Sequence, residues 1–182
     1  MPDERLRVLI VEDDGMWVST LTTLMARHQP CSIEVVRTVA EARKTLSSQT
    51  FDVVLLDMRL PDGSGVDVAR VALAAEMRPA VIVVTGGATA AEGATLVRMG
   101  VREVLDKPFD PATFHAAVEG ARQQRERSAR LRDAEASLRS QMIREALSRS
   151  GGSVQGAARF LGISRQRLQH ILRRERERGA RE

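Results

Sequence analysis

Phe51-Asp52-Val53-Val54-Leu55-Leu56-Asp57-Met58-Arg59-Leu60-Pro61-Asp62-Gly63-Ser64-Gly65 decides how this chain folds. Val53 to Leu56 is an unbroken apolar run, too short for a helix and valine-rich, which reads as a strand buried on both faces. It ends on a carboxylate, Asp57. Pro61, Gly63 and Gly65 then demand a tight exit loop. A lone aspartate behind a buried strand is ordinarily a cap or turn residue. Here an earlier apolar strand also ends in carboxylates, and that changes the reading.

Working outward, Leu6 to Val11 is a candidate strand closed by Glu12-Asp13-Asp14. Met16 to His28 follows with apolar residues at helical spacing: Trp17, Leu21, Leu24 and Met25. Ile33 to Val36 reads as a strand, and Val39 to Leu46 as a helix capped by Thr38. Beyond Asp57, a helix is expected over Gly65 to Met77 and a buried strand over Ala80 to Val84, ending in Thr85-Gly86-Gly87. A helix from Thr89 to Met99 stops at Gly100. A last strand, Val101 to Leu105, ends in Asp106-Lys107-Pro108. Asp110 and Pro111 suit the N-cap and first position of a fifth helix. Five strand–helix alternations predict an α/β fold, a doubly wound five-stranded parallel sheet with helices on both faces. Sites in such sheets lie at the carboxyl ends of the strands. Glu12, Asp13, Asp14, Asp57, Thr85, Gly86 and Lys107 are therefore expected on one rim.

At 182 residues the chain has room for one ordinary domain and a small one. Aromatic residues make up only 3%, so the core must be built from Val, Leu, Ile, Ala and Met. Cys31 is the only cysteine, which excludes an internal disulfide, and it reads as a small buried or half-buried thiol. His28, His115 and His170 share no metal-ligand spacing. No apolar run approaches the roughly 18 residues of a membrane span, and MPDERLRV is no signal peptide, so a soluble cytoplasmic protein is expected. Charge is divided unevenly. Residues 1–119 carry 12 Lys and Arg against 17 Asp and Glu, a net −5. Residues 120–182 carry 16 Arg against 7 acids, a net +9. An acidic front and a basic back suggest two modules, the second suited to a polyanion, although a solvated basic tail has the same composition.

Three or four carboxylates on one rim repel one another, and a hard divalent cation relieves the repulsion; oxygen ligands with room for water suit magnesium. Asp57 can then act as a nucleophile toward a phosphoryl group. Lys107 supplies a point charge to the product, Thr85 a hydroxyl donor, and Gly86 close access to backbone. Residues 5 to about 122 resemble the receiver domain of two-component response regulators, a flavodoxin-like fold. The matching segments are Val11-Glu12-Asp13-Asp14, Leu55-Leu56-Asp57, Leu60-Pro61-Asp62-Gly63-Ser64-Gly65, Val84-Thr85-Gly86 and Lys107-Pro108-Phe109. The resemblance implies that Asp57 takes phosphate from a sensor histidine kinase. It implies that Asp13 and Asp57 bind Mg2+ directly and Glu12 through water, that the backbone carbonyl of Arg59 completes the metal site, and that the Lys107–Pro108 bond is cis. One position departs from the family pattern: Val104 stands where an aromatic switch residue is usual. Either Thr85 and its loop carry the switch or the effect of phosphate is muted. Arg59 places a long cation at the pocket mouth, where it either slows attack by water, guides a partner, or points into solvent.

The basic third opens with Gly120 to Arg132, a charged stretch read as helical and continuous with the fifth helix. Leu131, Ala134, Leu138 and Met142 share a helix face, read as local core in preference to a seam with a second chain. Leu138, Met142, Ile143, Ala146 and Leu147 are expected to form the apolar face of a helix ended by Gly151-Gly152. Ser153 caps a second helix with Val154, Ala157, Ala158 and Leu161, and Gly162 breaks it. Ser164 caps a third, with Leu168, Ile171 and Leu172 facing inward. This is helix-turn-helix spacing, which an ordinary helical hairpin would share. The outward residues are Gln166, Gln169, His170 and Arg173, flanked by Arg165, Arg167 and Arg174. Amides and guanidiniums can address base edges, and the flanking arginines suit phosphates. Leu138 to Arg174 resembles the Fis-type helix-turn-helix, which implies dimerisation through its first helix and major-groove insertion of its third. No Gly-x-x-x-x-Gly-Lys-Ser/Thr loop is present, so the chain looks like a short form without a central ATPase domain.

The expected domains are a receiver over 1–122, a charged helical linker over 123–137, and a small all-α DNA-binding domain with a basic tail over 138–182. The expected function is a phosphorylation-controlled transcription regulator acting on double-stranded DNA as a homodimer, without membrane association. The alternative is a constitutive nucleoid-type DNA-binding protein whose receiver is an interaction domain only. A phosphatase using Asp57 needs an acid two residues on, and Arg59 stands there; a regulator, not an enzyme, is therefore expected.

Overall fold

The structure is a computed structural model that describes residues 5–75 and 77–179, with backbone only for Ala90, Arg132 and residues 174–179. The chain divides into two compact units, Met1–Arg127 and Ser128–Glu182.

The first unit is built on strands β1 (Leu6–Val11), β2 (Cys31–Val36), β3 (Val53–Leu56), β6 (Ala80–Thr85) and β7 (Glu103–Asp106), with a small hairpin of β4 (Arg59–Leu60) and β5 (Gly63–Ser64). The five longer strands form one parallel sheet in the order β2-β1-β3-β6-β7. Side chains alternate across a strand, and here the alternation divides one core from the other. Leu9, Val11, Val54, Leu56, Val81 and Val83 pack on one face against Val39 and Ala42 of α2 (Val39–Ser48), Val68, Ala69 and Ala72 of α3 (Gly65–Ala74), and Leu96 of α4 (Ala90–Met99). Val8, Ile10, Val53, Leu55, Ile82 and Val84 pack on the other against Leu21 and Met25 of α1 (Gly15–His28) and Phe114, Ala117, Val118 and Ala121 of α5 (Pro111–Arg149). Each fully buried Val, Leu or Ile contributes about 1.5–3 kcal/mol relative to exposure. The doubly wound sheet expected from the sequence is the one observed.

Registers Val11↔Val36, Val11↔Leu56 and Leu56↔Val83 bring the carboxyl ends of the strands level. The residue after each end therefore faces the same rim. The third helix ends at Ala74, not at Met77 as its periodicity suggested; Ala75 is already extended and Pro79 lies ahead.

In the second unit the last part of α5 packs with α6 (Val154–Phe160) and α7 (Arg165–Gly179). Its core holds Ile143, Ala146, Ala157, Ala158 and Leu168, bordered by Leu147, Val154, Leu161, Ile163, Ile171 and Leu172. Gly151 and Gly152 end α5 with φ of 60° and 83°, and the Gly152 N–H donates to the Leu147 carbonyl at 2.8 Å. Ser153 Oγ accepts from Gly156 N–H, and Ser164 Oγ from Arg167 N–H. The local-core reading of the α5 stripe is corrected: Leu131, Leu138 and Met142 are 57%, 59% and 51% exposed. Ile143 and Ala146, next to the stripe and further round the helix, meet α6 and α7 instead. Among the described residues no helix is long and apolar enough to cross a membrane.

Candidate functional site

The rim of the sheet gathers three carboxylates and one ammonium. Glu12, Asp13 and Asp57 each offer an oxygen within 4.8 Å of the others. Lys107 Nζ lies 2.6 Å from Glu12 Oε2 and 3.8 Å from Asp57 Oδ2, with the lysine side chain only 9% exposed. Burial pushes the Glu12 carboxyl above its ordinary value, while the Lys107 hydrogen bond pulls it back. All three carboxylates are hard oxygen donors, so the set fits a hard divalent cation. Asp57 Oδ1 accepts from the Met58 N–H at 2.7 Å, which fixes the carboxylate and leaves Oδ2 on the lysine side.

Thr85 ends β6, fully buried, and its Oγ1 has no partner among the described residues. A buried hydroxyl without a partner is uncommon, because each such group loses its hydration uncompensated. Lys107 N–H donates to the Thr85 carbonyl at 2.7 Å, which ties the two strand ends together. The space where a Cβ would stand on Gly86 is open. The Lys107–Pro108 peptide is cis. Val104 is half-buried and packs against the α2–α4 side of the sheet, so it lines the core and not the rim. Arg59 Nη2 donates to the Gly87 carbonyl at 3.3 Å, lying toward the loop after β6.

On α7, Arg165, Gln166, Arg167, Gln169, His170 and Arg173 are exposed, while Leu168 is fully buried and Ile171 and Leu172 half-buried. The expected outward residues are thus exposed on a helix anchored by its apolar residues. The Arg174 side chain lies outside the described residues.

Residues 8–119 match the response regulator receiver domain family. The chain belongs to that family. In this response regulator, residues 138–174 also match the bacterial regulatory protein, Fis family. Receiver and helix-turn-helix occur in that order along the chain. The protein is 25% identical over 118 residues to transcription factor SKN7 of Candida albicans, covering 65% of this chain and 21% of that one. It is 33% identical over 115 residues to the photosynthetic apparatus regulatory protein RegA of Rhodovulum sulfidophilum, covering 61% of this chain and 60% of that one. The match thus spans about a fifth of SKN7 and three-fifths of RegA. The receiver domain protein (CheY-like) of Methanospirillum hungatei JF-1 superposes with a TM-score of 0.64 at 22% identity, covering 69% of this chain and 99% of that one.

Several residues that shape the response regulator's rim carry little sequence signal. Arg37 Nη1 donates to the Asp13 carbonyl at 2.7 Å and steadies the acidic loop from β2. The Asp62 carboxylate accepts from Val39 N–H at 2.7 Å and Ala40 N–H at 2.9 Å, so the β4–β5 hairpin caps α2. Trp17 lies over Lys107, 4.8 Å from ring centroid to Nζ. Helical spacing marked Trp17 only as an apolar-face residue; its nearness to Lys107 depends on tertiary packing. His28 and His115, unrelated in sequence spacing, stack at 4.8 Å between ring centroids, and no third ligand-type side chain joins them among the described residues. Cys31 is half-buried, and burial raises its thiol pKa, the opposite of a reactive thiolate.

Proposed function

We propose that this response regulator accepts a phosphoryl group on Asp57 from a sensor histidine kinase and controls transcription by binding double-stranded DNA as a homodimer in the cytoplasm. The observation that carries the reading is Lys107 held between Glu12 and Asp57 beside the unpartnered Thr85 hydroxyl. A carboxylate oxygen of Asp57 attacks phosphorus, the bond from phosphorus to the donor nitrogen breaks, and the imidazole leaves. Lys107 and Thr85 then hold the new phosphoryl oxygens, with Gly86 leaving its backbone accessible. Glu12, Asp13, Asp57 and the Arg59 backbone carbonyl would hold Mg2+, which neutralises charge on the phosphoryl oxygens. Residues 1–122 form the receiver and 123–137 the linker. Residues 138–182 form the reading domain, in which Gln166, Gln169, His170 and Arg173 address bases and the flanking Arg165, Arg167 and Arg174 address phosphates. The exposed stripe of Leu131, Leu138 and Met142 supports pairing of two chains.

The test treats wild type and Asp57→Ala with acetyl phosphate and Mg2+ and reads intact mass and oligomer size together. A phosphoryl mass gain in wild type alone, with dimer formation, is expected. Val104, an aliphatic side chain in the core, favours a second reading, a constitutive nucleoid-type DNA binder. That reading requires equal DNA affinity for wild type and Asp57→Ala under phosphorylating conditions.

A further inference from the structure

We propose that Trp17 is a positioning residue for phosphoryl acceptance: its indole face holds the Lys107 ammonium in place without trapping it. The proposal rests on the Asp57 reading above. Lys107 Nζ donates to Glu12 Oε2 at 2.6 Å, and Asp57 Oδ2, at 3.8 Å, is beyond hydrogen-bond distance. The Trp17 ring lies against the same ammonium, 4.8 Å from its centroid. With the lysine side chain 9% exposed, little water reaches this charge.

An ammonium is a compact, strongly hydrated charge, and removing its water is costly unless something replaces it. A third carboxylate in the place of Trp17 would add repulsion to Glu12 and Asp57 and fasten the lysine away from the acceptor. Open water would screen it. An aromatic face does neither: it attracts the cation through its quadrupole and has no lone pair to hold one N–H. The ammonium is therefore free to turn from Glu12 to an incoming phosphoryl oxygen.

Trp17 is itself held firmly. Its backbone N–H donates to the Asp14 N-cap carboxylate at 3.3 Å, one residue beyond Asp13. Its ring packs on Phe109 at 5.6 Å, and Phe109 stacks on the fully buried Phe114 at 5.8 Å. These contacts alone would make Trp17 a packing residue, so the test must separate packing from action on Lys107.

Trp17 is the only tryptophan in the chain, which makes its emission a direct reading of its surroundings. Full-length protein is titrated with beryllofluoride in the presence of Mg2+, as a phosphoryl stand-in on Asp57. The emission of wild type is expected to change, and the change is expected to disappear in Lys107→Met. In parallel, acetyl phosphate phosphorylation is followed by intact mass. Trp17→Leu is expected to slow it roughly threefold to thirtyfold, the span open to a desolvated cation–π contact. Trp17→Phe should restore most of the rate. Mg2+ affinity by calorimetry should stay at the wild-type value in Trp17→Leu, because the carboxylates are untouched; a loop merely loosened by lost packing would lose Mg2+ affinity as well. Phosphorylation of Trp17→Leu at the wild-type rate overturns the proposal. Silent emission in a wild type that does become phosphorylated also overturns it, and needs no variant to fold. Failure of wild type to gain phosphate under any donor removes the Asp57 reading and this one with it.

Discussion

Gly65 shows how one side chain of no size can govern a site. A Cβ there would lie 2.3 Å from the Asp57 carbonyl oxygen and 2.9 Å from the Met58 Cα, both backbone atoms that cannot rotate aside. The Gly65 N–H also donates to the Met58 carbonyl at 2.9 Å, so the loop folds back onto the end of β3. Gly65→Ala is expected to destabilise the receiver by about 1–3 kcal/mol, as overpacking does. It should also slow phosphorylation, since the atoms displaced carry Asp57. Thermal melts and intact-mass kinetics on the same sample check both effects, and unchanged values for both would refute the argument. In the sequence, Gly65 was legible only as one of several loop glycines. Glu12, Asp13, Asp57, Thr85 and Lys107 were legible as rim residues because each follows or ends an apolar strand, and parallel strands bring those ends level. Trp17 and Arg37 were not, because their contacts depend on how α1 and β2 pack beside the rim.

Elements carry the acid sensitivity of the fold. Asp62 caps α2 from the β4–β5 hairpin, Glu92 closes a capping box with Thr89 on α4, and Asp110 caps α5 through Thr113. Backbone N–H donors hold the Asp62 carboxyl below its ordinary 3.8, and the Thr89 and Thr113 groups do the same for Glu92 and Asp110. Hydrogen bonds from Arg122 and Gln123 hold Glu119 down at about 2. A carboxylate with a lowered folded pKa adds stability that is fully present above its unfolded value and lost as pH falls through the folded one. The melting temperature is therefore expected to hold between neutrality and the ordinary carboxylate range of 3.8 to 4.5, then fall toward about 2. Glu12 runs the other way. Burial raises its pKa, so the stability tied to its protonated form is complete below 4.5 and lost as pH rises through the folded value. Asp62→Asn should flatten the acid limb in melts recorded across this range, and an acid limb as steep as wild type's would exclude the cap as a contributor. Solvent screening keeps each exposed group's share small. Thr38, Asp110 and Gly100 were legible as caps because their chemistry is local. Asp62 was not, since the helix N–H groups it caps lie more than twenty residues before it.

At the scale of the whole chain, the exposed apolar stripe on α5 is the feature that asks for a partner. Leu131, Leu138 and Met142 lie within about 40° of one another around a helix of 3.6 residues per turn. Sequence spacing found the stripe but assigned it to local packing, because periodicity reports a face and not what covers it. The second unit's core explains why a covering surface matters. Among its described residues three of the five buried side chains are alanines, so little apolar area is removed from water by them. In the homodimer proposed above, pairing two chains along the stripe would add burial where the unit lacks it and would set two α7 helices on two half-sites. Leu138→Glu is expected to shift the full-length protein toward monomer in sedimentation. It should also weaken binding to two-half-site DNA far more than to a single half-site. Arg167→Ala, on the exposed side of α7, should leave the oligomer unchanged and reduce the slope of log affinity against log salt by about 0.9, the share of one phosphate contact. Loss of both oligomer and salt slope in Arg167→Ala would mean that α7 pairs chains and does not read DNA. A Leu138→Glu protein that stays dimeric would move the seam off α5.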